Sequence, residues 1–427
     1  MSNSSVMICT VGGSHQPIVK AITERKPSFV CFVCSAKDPE TGNAGSDQQI
    51  LGKGNVIKAN HGDAKPTLPN IPTQTGLSET DFEIAIIPTD DLDGAFAILR
   101  RKISDLYVRF PGRELIADYT GGTKTMTAAL VTAVLESEKT SLALVTGNRT
   151  DLVKVRNGTE YAAEASVEGI RISRGMKTYL GSWKRFAYDE AFDGLSGITP
   201  PGLVNLRQRL FMARDISNAF SCWDRFDHPE ALRLLDVYRP RVAKWWPDLF
   251  PTIQVLTGNG EATEPARLFD LWRNAQRRAA QGRFDDAVAR IYRLLEWTAQ
   301  WLLKTRCQIE TSDIPPEKIP EGILVIPDHA GKRKAGLFVA WKMVEKWVTS
   351  ESSDFFKKNQ KILFGYLEMR NTSILAHGFS PLARDDWQKF SVWFEENFIP
   401  MLISEAKRAR VNRIFSQLPD SFPEVDG

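Results

Sequence analysis

The sequence predicts an α/β domain followed by an all-helical domain. The chain has 427 residues, which is more than one hydrophobic core accommodates, so at least two domains are expected. The first ~180 residues alternate short β-branched runs with amphipathic stretches, a pattern typical of parallel strands joined by crossover helices. From Leu203 onward helical periodicity prevails, and glycine and proline separate the helices.

In the α/β domain the pattern predicts strands at 6–11, 29–35, 83–88, 114–119 and 141–146, and helices at 17–24, 92–106 and 123–138. Residues 36–80, between the second and third strands, are rich in Gly, Pro, Asn and Asp and predict a mobile surface insertion. After Thr146 we expect a polar segment and a hairpin ending near Arg174. The stretch 194–202, which contains Gly and Pro, follows as the candidate domain boundary.

In the helical half the clearest periodicity covers residues 285–304. Inward positions at spacings of three and four predict one buried face made of Val288, Ile291, Leu295, Thr298 and Leu302. A similar aromatic stripe near the C-terminus, interpreted as core, consists of Phe390, Trp393, Phe394 and Phe398.

Composition excludes several protein classes. The net charge of +3 is too small to predict a polyanion partner by itself, and no apolar stretch reaches membrane-spanning length. Five scattered cysteines do not form a disulfide framework, and Cys31 and Cys34 lie three apart on one predicted strand, with their thiols on opposite faces. We therefore expect a cytoplasmic protein without a redox or zinc site at these cysteines.

Two glycine turns lie where the chain leaves predicted strands and enters predicted helices. The first contains Gly12 and Gly13, and Pro17 suits the opening turn of the next helix. The second, over 118–126, places two glycines, hydroxyl groups and Lys124 at a helix N-terminus. The carboxyl ends of strands are the ligand-binding edge of an open α/β sheet, and helix N-termini favour phosphate. These loops predict a phosphate or ribose site.

The alternative interpretation is that Gly121 and Gly122 only make a tight turn and that Thr123 caps the next helix. The second loop is not a triphosphate-binding P-loop, because Thr123 rather than glycine precedes Lys124. No G-x-G-x-x-G fingerprint follows the first strand, so dinucleotide redox chemistry is not indicated.

The run D-Y-T-G-G-T-K-T over 118–125, after the fourth strand of a Rossmann-like domain, resembles the CARF domain of CRISPR-associated proteins. The resemblance implies a homodimer that binds cyclic oligoadenylate between facing copies of the two loops. The residues that it assigns to ligand binding are Thr10, Gly12, Gly13, Ser14, His15, Gln16, Thr120, Gly121, Gly122, Thr123, Lys124, Thr125 and Met126.

In the helical half, Arg370 and His377 lie seven residues apart after an amphipathic run over 355–369. On one helix, seven steps of ~100° return to within about 20° of the starting direction, so both side chains are expected on one face. Gly378 then suits a helix C-terminus, where histidine is common because the dipole favours its cation. The alternative is that His377 only partners the dipole and that Arg370 is a solvated surface charge.

The segment from Arg370 to His377 resembles the R-x(4–6)-H motif of HEPN ribonucleases, at the longest permitted spacing and with Asn371 directly after the arginine. The resemblance implies RNA cleavage without a metal or other cofactor, by attack of the ribose 2′-hydroxyl on the adjacent phosphorus. His377 would exchange protons, Arg370 would bind phosphate, and Asn371 would orient one of them. It also implies that two such motifs meet at a dimer interface.

Together the two resemblances predict a Rossmann-like CARF domain over 1–180, a helical connector over 181–264 and an all-helical HEPN domain over 265–427. The implied protein is a type III CRISPR ancillary endoribonuclease that cleaves single-stranded RNA when cyclic oligoadenylate binds. Two alternatives stay open: a sensor without enzymatic activity, and a ring nuclease that degrades its own activator. The remaining histidines, His15, His61, His228 and His329, are isolated and are expected to be structural or exposed, although His15 lies in the first loop.

Overall fold

The computed structural model describes residues 5–40, 42, 44–52, 68–137, 139–147, 159–371, 373 and 378–423. The chain forms two compact units, Met1–Ser173 and Arg174–Gly427. The boundary between them lies inside the helix Glu168–Leu180, whereas the predicted first domain ends at the last residue of that helix. The glycine and proline stretch 194–202 lies within the second unit. A boundary inside a continuous helix leaves no change of composition for a sequence to reveal.

The first unit is an α/β sheet structure. Its strands form one sheet in the order β3-β2-β1-β4-β5-β6, in which only the β5–β6 pair is antiparallel. The elements in chain order are β1 (Val6–Thr10), α1 (Gln16–Arg25), β2 (Phe29–Cys34), α2 (Gln48–Leu51), α3 (Ile71–Thr75), β3 (Phe82–Ile86), α4 (Leu92–Arg109), β4 (Leu115–Asp118), α5 (Lys124–Glu136), β5 (Thr140–Thr146), β6 (Tyr161–Ala165) and α6 (Glu168–Leu180).

The predicted α/β class is confirmed, and each predicted strand and helix is present with its ends moved by at most three residues. The sequence did not identify β6 as a strand. Its sequence is YAAEA, which lacks the β-branched residues that mark the other strands. The pairing of β6 with β5 supplies the hairpin that the sequence only suggested.

The central strands β1, β2 and β4 are buried on both faces, as parallel strands are when helices cover the sheet. Alternate residues of β2 enter different hydrophobic clusters, with Cys31 in one and Cys34 in the other. The predicted separation of these two thiols is confirmed. Burial raises the pKa of the Cys34 thiol to about 12 and that of Cys31 further, so both remain protonated thiols at neutral pH.

The insertion over 36–80 is more ordered than the sequence suggested. Helix α2 buries Ile50 and helix α3 buries Ile71, both against the sheet core. Asn70 Nδ2 donates a 3.2 Å hydrogen bond to Ile50 O, which ties the two short helices together. The expectation of a mobile insertion is therefore wrong for these segments, because helices of four or five residues are too short to show periodicity. Residues 41, 43 and 53–67 lie outside the described residues.

The second unit contains helices and no strand among its described residues, so the predicted all-α half is confirmed. Short 3-10 helices occur at Gly181–Arg185, Pro316–Lys318 and Lys407–Ala409. The α-helices are α7 (Tyr188–Ser196), α8 (Val204–Asp224), α9 (His228–Asp236), α10 (Arg239–Trp245), α11 (Leu249–Thr257), α12 (Thr263–Ala280), α13 (Phe284–Cys307), α14 (Leu337–Trp347), α15 (Glu351–Asn371) and α16 (Arg384–Ala406).

The second unit contains two clusters of buried side chains. One is drawn from residues 183–266 and Leu418, and the other from residues 268–411. Helix α13 extends over the predicted 285–304 segment, and all five of its predicted inward residues are buried. Phe390, Phe394 and Phe398 are buried on α16. None of the helices in the described part of the chain has the length and low polarity needed to span a bilayer.

Candidate functional site

Two glycine loops meet at the carboxyl ends of β1 and β4, which are neighbours in the sheet. Thr10 Oγ1, at the end of β1, donates a 2.5 Å hydrogen bond to Gly121 O in the loop after β4. A Cβ atom placed on Gly12 would lie 2.6 Å from the Gly122 nitrogen, so the loops pack backbone against backbone. Gly122 also has φ of 88°, a conformation that glycine adopts without strain. The two predicted loops therefore form one surface.

The start of α5 has the cap that the alternative interpretation proposed. Thr123 Oγ1 accepts a 3.2 Å hydrogen bond from Met126 N and donates a 3.0 Å hydrogen bond to Thr89 O. The tight turn and the threonine cap are thus correct as local structure. A side-chain cap satisfies one of the four N–H groups that a helix N-terminus leaves open, so the cap and an anion site are compatible.

The predicted ligand residues divide by exposure. The exposed members are Gly13, Ser14, Gln16, Thr123 and Lys124, and the half-buried members are Gly12, Thr120, Gly121, Gly122 and Thr125. The buried members are Thr10, His15 and Met126. Only the exposed and half-buried groups present atoms to a ligand at this surface.

Several of the predicted ligand side chains are engaged in holding the loops. The Thr10 hydroxyl is bonded to Gly121 O, and Thr120 Oγ1 accepts a 2.7 Å hydrogen bond from Val145 N. Met126 packs in the core beneath the sheet, and His15 is 4% exposed at the N-cap of α1. These side chains hold the two loops in place, and the buried ones among them do not face a ligand at the surface.

Two residues at this surface were missed by the sequence reasoning. Gln49 Nε2, on α2, donates a 2.6 Å hydrogen bond to Gly12 O and so connects the insertion to the first loop. Asp118, 1% exposed, accepts a 2.9 Å hydrogen bond from Thr120 N through Oδ1. Its Oδ2 has no hydrogen-bond partner among the described residues, and burial raises the pKa of this carboxyl. Asp118 is the first residue of the D-Y-T-G-G-T-K-T run over 118–125, whereas nothing in the sequence indicates the role of Gln49.

In the second unit, helix α15 ends at Asn371, so Arg370 lies in its last turn. Ser373 N donates a 3.0 Å hydrogen bond to Arg370 O, and Gly378 N donates a 3.2 Å hydrogen bond to Ser373 O. The predicted helix is therefore confirmed only as far as Asn371, and Gly378 is not the residue that ends it. The predicted common face of Arg370 and His377 stays a prediction. His377 lies outside the described residues.

Arg370 is positioned by α13. Its guanidinium carbon lies 4.4 Å from the ring centroid of Tyr292, a distance typical of a cation–π contact. Its Nη1 donates a 3.1 Å hydrogen bond to Asn371 Oδ1. Its Nε is buried and has no hydrogen-bond partner among the described residues. No described carboxylate lies within ion-pair distance, so the Arg370 charge is available to an anion.

The segment that begins at Arg370 is anchored to α13 at a second point. Leu382 N donates a hydrogen bond to Asp285 Oδ2 at 3.2 Å. Asp285 and Tyr292 are seven residues apart on α13, which places them on one face about 10 Å apart. The anchored segment also carries Phe379, whose side chain is 92% exposed, and Ser373, whose buried Oγ has no hydrogen-bond partner among the described residues.

The other histidines do not build a competing site among the described residues. His228 is buried, and its Nε2 lies 2.9 Å from Asp270 Oδ2 inside an ionic network. His329 is exposed. These placements agree with the expectation of structural or exposed histidines, and His61 lies outside the described residues.

Comparisons with known proteins concern both units. Residues 257–398, which include Arg370, Asn371 and His377, match a family profile described as the Csm6 HEPN domain. No curated protein matches the sequence. A structure of Enterococcus italicus Csm6 bound to cyclic hexa-2'-fluoro-hexa-dAMP has a TM-score of 0.54 at 11% identity and covers 95% of this chain and 94% of that chain. A structure of Can2 from Sulfobacillus thermosulfidooxidans in complex with cyclic tetra-adenylate has a TM-score of 0.24 at 12% identity, covering 53% and 66% of the respective chains.

Proposed function

We propose, from the premise that this chain has the CARF–HEPN architecture of CRISPR-associated proteins, that it is an endoribonuclease activated by cyclic oligoadenylate. The first unit binds the ring, and the helical unit cleaves single-stranded RNA. Coupling between the two requires that the ring bind the active arrangement more tightly than the inactive one.

The setting of Arg370 is the observation that supports the nuclease proposal. Its guanidinium rests on the Tyr292 ring, donates to the neutral Asn371 amide and has no carboxylate partner among the described residues. A partly buried guanidinium without a counter-charge attracts a phosphodiester, which it can bind through two hydrogen bonds. The residue also lies in the R-N-x-x-x-x-x-H segment and inside the range that matches the HEPN profile.

In the proposed reaction the ribose 2′-hydroxyl loses its proton and attacks the adjacent phosphorus. The O2′–P bond forms while the P–O5′ bond breaks, which leaves a 2′,3′-cyclic phosphate and a protonated 5′-hydroxyl. His377 transfers the proton, since histidine has an ordinary pKa of about 6.5. Arg370 stabilises the charge on the phosphoryl oxygens, and Asn371 orients Arg370 through its Oδ1. The balance of atoms in this reaction requires no metal ion.

The surface formed by the two glycine loops is the proposed ring-binding site. Gly13, Ser14 and Lys124 are exposed there, and the starts of α1 and α5 offer N–H groups to phosphates. In a homodimer two such surfaces face each other across a two-fold axis, so that one ring contacts both. The structural neighbour was solved with a six-membered ring analogue, which makes cyclic hexa-adenylate the first ligand to test.

Two further assignments belong to the proposal. Dimerisation brings two Arg370 and His377 motifs together and so completes the sparse site of one chain. The cytoplasm is the proposed location, since all five cysteines are free thiols in the structure, as expected in a reducing compartment.

The test uses the purified full chain, end-labelled single-stranded RNA, and cyclic tetra-adenylate or cyclic hexa-adenylate, with and without EDTA. We expect ring-dependent cleavage that persists in EDTA and that falls by about 10²- to 10⁴-fold in Arg370→Ala and His377→Ala. Ring affinity is expected to stay at the parental value in both variants. Arg233→Ala, which removes an exposed arginine paired with Glu230 on α9, is the matched control. Undiminished cleavage in either site variant contradicts the site, and ring binding without cleavage by the parent supports the sensor alternative.

A further inference from the structure

A second cationic site lies in the helical unit, away from Arg370. A cavity of about 260 Å³ is lined by residues of α7, α8, α12, α13 and the turn between the last two. Four arginines line it: Arg225, Arg278, Arg283 and Arg290. We call it the arginine cavity. Guanidinium groups that lie close together repel one another unless carboxylates or a bound anion match their charge, so this grouping requires an explanation.

The aspartates at the cavity are mostly engaged by other groups. Asp224 Oδ1 accepts a 2.6 Å hydrogen bond from Nε of Arg277, a guanidinium buried behind the cavity wall. Asp224 Oδ2 accepts from Arg278 Nη2, so this one carboxylate serves two arginines. Asp286 Oδ1 lies 3.2 Å from Arg290 Nη1. A third lining carboxylate, Asp189, is exposed on α7. The four lining arginines therefore outnumber the three lining carboxylates, and Asp224 is also shared with Arg277.

Two of the four lining arginines have no carboxylate partner among the described residues. Arg225 donates to neutral groups, Ser221 Oγ at 2.6 Å and Cys222 Sγ at 3.3 Å. Arg283 is exposed at the start of α13 and makes no side-chain hydrogen bond there. Arg278 adds an Nε atom that is buried and lacks a hydrogen-bond partner. The cavity therefore presents several guanidinium N–H groups that are free to bind a ligand.

The arginines also repel one another. The pKa of Arg290 is lowered, first by burial and then by the charge of Arg278. A negative ligand between these groups would relieve both effects, since it supplies a counter-charge and hydrogen-bond acceptors where water is restricted.

We propose that the arginine cavity binds a phosphoryl group. At about 260 Å³ it is below the ~300–1,000 Å³ of sites that enclose whole drug-sized ligands, so it takes a phosphate with at most its attached ribose. The phosphate comes either from a free mononucleotide or from the phosphorylated end of an RNA. We favour the RNA end, because Arg225 and Arg283 line the cavity and are exposed to solvent, so a chain attached to the phosphate can leave past them.

This site is distinct from the proposed nuclease site. Arg290 lines the cavity, and Tyr292 contacts Arg370. Residues two apart on a helix point about 200° from each other, so α13 separates the two sites. The proposal does not require that the protein cleave RNA.

The test is a binding titration of the full chain with four probes: inorganic phosphate, AMP, and a short RNA that carries either a 5′-phosphate or a 5′-hydroxyl. We expect the phosphorylated RNA to bind at least about tenfold more tightly than its hydroxyl twin, since a hydrogen-bonded charge pair is lost with the phosphate. Tighter binding of AMP than of the phosphorylated RNA would overturn the proposed preference for an RNA end. Equal binding of the two RNAs, with no binding of AMP or phosphate, overturns the site.

The variants are Arg283→Ala and Arg225→Ala, whose side chains are exposed and whose removal leaves the buried Asp224 network intact. Each is expected to remove most of the preference for the 5′-phosphate. Arg283→Lys keeps the positive charge but loses the guanidinium, which donates two parallel hydrogen bonds. It should therefore retain part of the preference for the 5′-phosphate. Arg233→Ala on α9 is the control that is expected to bind the phosphorylated RNA as the parent does. Arg370→Ala, which removes a proposed contact to the RNA backbone, is expected to weaken both RNAs alike and to keep the preference for the 5′-phosphate. A parental preference in Arg283→Ala and Arg225→Ala, with thermal melting unchanged, contradicts the proposal. Loss of the preference in Arg370→Ala would mean that the phosphate binds at the nuclease site instead.

Discussion

The guanidinium carbon of Arg370 lies 4.4 Å from the ring centroid of Tyr292, so a residue in the last turn of α15 is held by the face of a tyrosine on α13. The contact fixes one plane of the guanidinium and leaves its edge available. The Nη1 atom bonds to Asn371, while Nε has no hydrogen-bond partner among the described residues. The arginine is therefore oriented by an aromatic ring, which does not neutralise its charge as a carboxylate would.

Replacing Tyr292 by leucine should lower the RNA cleavage that cyclic oligoadenylate activates. A cation–π contact contributes about 0.5–2 kcal/mol depending on desolvation, which corresponds to about two- to thirtyfold in kcat/KM. Tyr292→Phe keeps the aromatic side chain and should retain most of the RNA cleavage activity. The measurement is cleavage of labelled RNA at saturating cyclic oligoadenylate. The affinity of each variant for cyclic oligoadenylate is the second readout. Parental cleavage by Tyr292→Leu would show that the contact does not orient Arg370.

Asp285 should matter through the backbone that it holds. Its carboxylate accepts the Leu382 N–H, and Asp285→Ala leaves that donor unpaired at a partly buried position. We expect the free energy of unfolding to fall by about 1–2 kcal/mol, with reduced RNA cleavage because the segment after Arg370 loses its second anchor. Asp285→Asn keeps an acceptor oxygen and should lie between the alanine variant and the parent. Urea denaturation and the cleavage assay measure the two effects, and equal results for Ala and Asn would mean that the charge at the start of α13 matters rather than the hydrogen bond.

The elements of the site could be predicted, but not all of their contacts. The glycine loops follow the carboxyl ends of β1 and β4, so the sequence predicted that they would share one edge of the sheet, and Thr10 bonds to Gly121 there. The end of α15 could not be predicted, because no glycine or proline lies between Arg370 and His377. Instead, Ser373 N donates to Arg370 O in a turn after the helix, and Leu382 N, further along the chain, donates to Asp285 Oδ2 on α13. The Tyr292 contact likewise depends on how two helices pack, which periodicity does not specify.

Asp118 should make stability depend on pH in the direction opposite to most carboxylates. Burial raises its pKa above the ordinary value of 3.8, so the folded protein binds this proton more tightly than the unfolded chain does. Stability then falls as the pH rises from 3.8 through the higher folded value, because the folded state must ionise a buried group. Asp118→Asn removes the titration and keeps the acceptor for Thr120 N. Urea denaturation at a series of pH values above 3.8 should show a shallower decline, or none, in the variant. The same slope in both proteins would assign the decline to other groups.

Gly12→Ala should disturb the surface where the two loops pack. The added Cβ would lie 2.6 Å from the Gly122 nitrogen, closer than real Cβ contacts, and the Thr10 hydrogen bond to Gly121 ties the two loops together at this point. Overpacking of this kind costs about 1–3 kcal/mol, so the melting temperature should fall and affinity for cyclic hexa-adenylate should fall with it. Gly13→Ala is the control for folding alone, since nothing lies within 4 Å of its added Cβ, and its melting temperature should match the parent. If Gly12→Ala melts like the parent and binds the ring with parental affinity, the close approach of the loops is not required for ring binding. If it melts like the parent but loses the ring, Gly12 acts on the ligand directly and the packing argument fails.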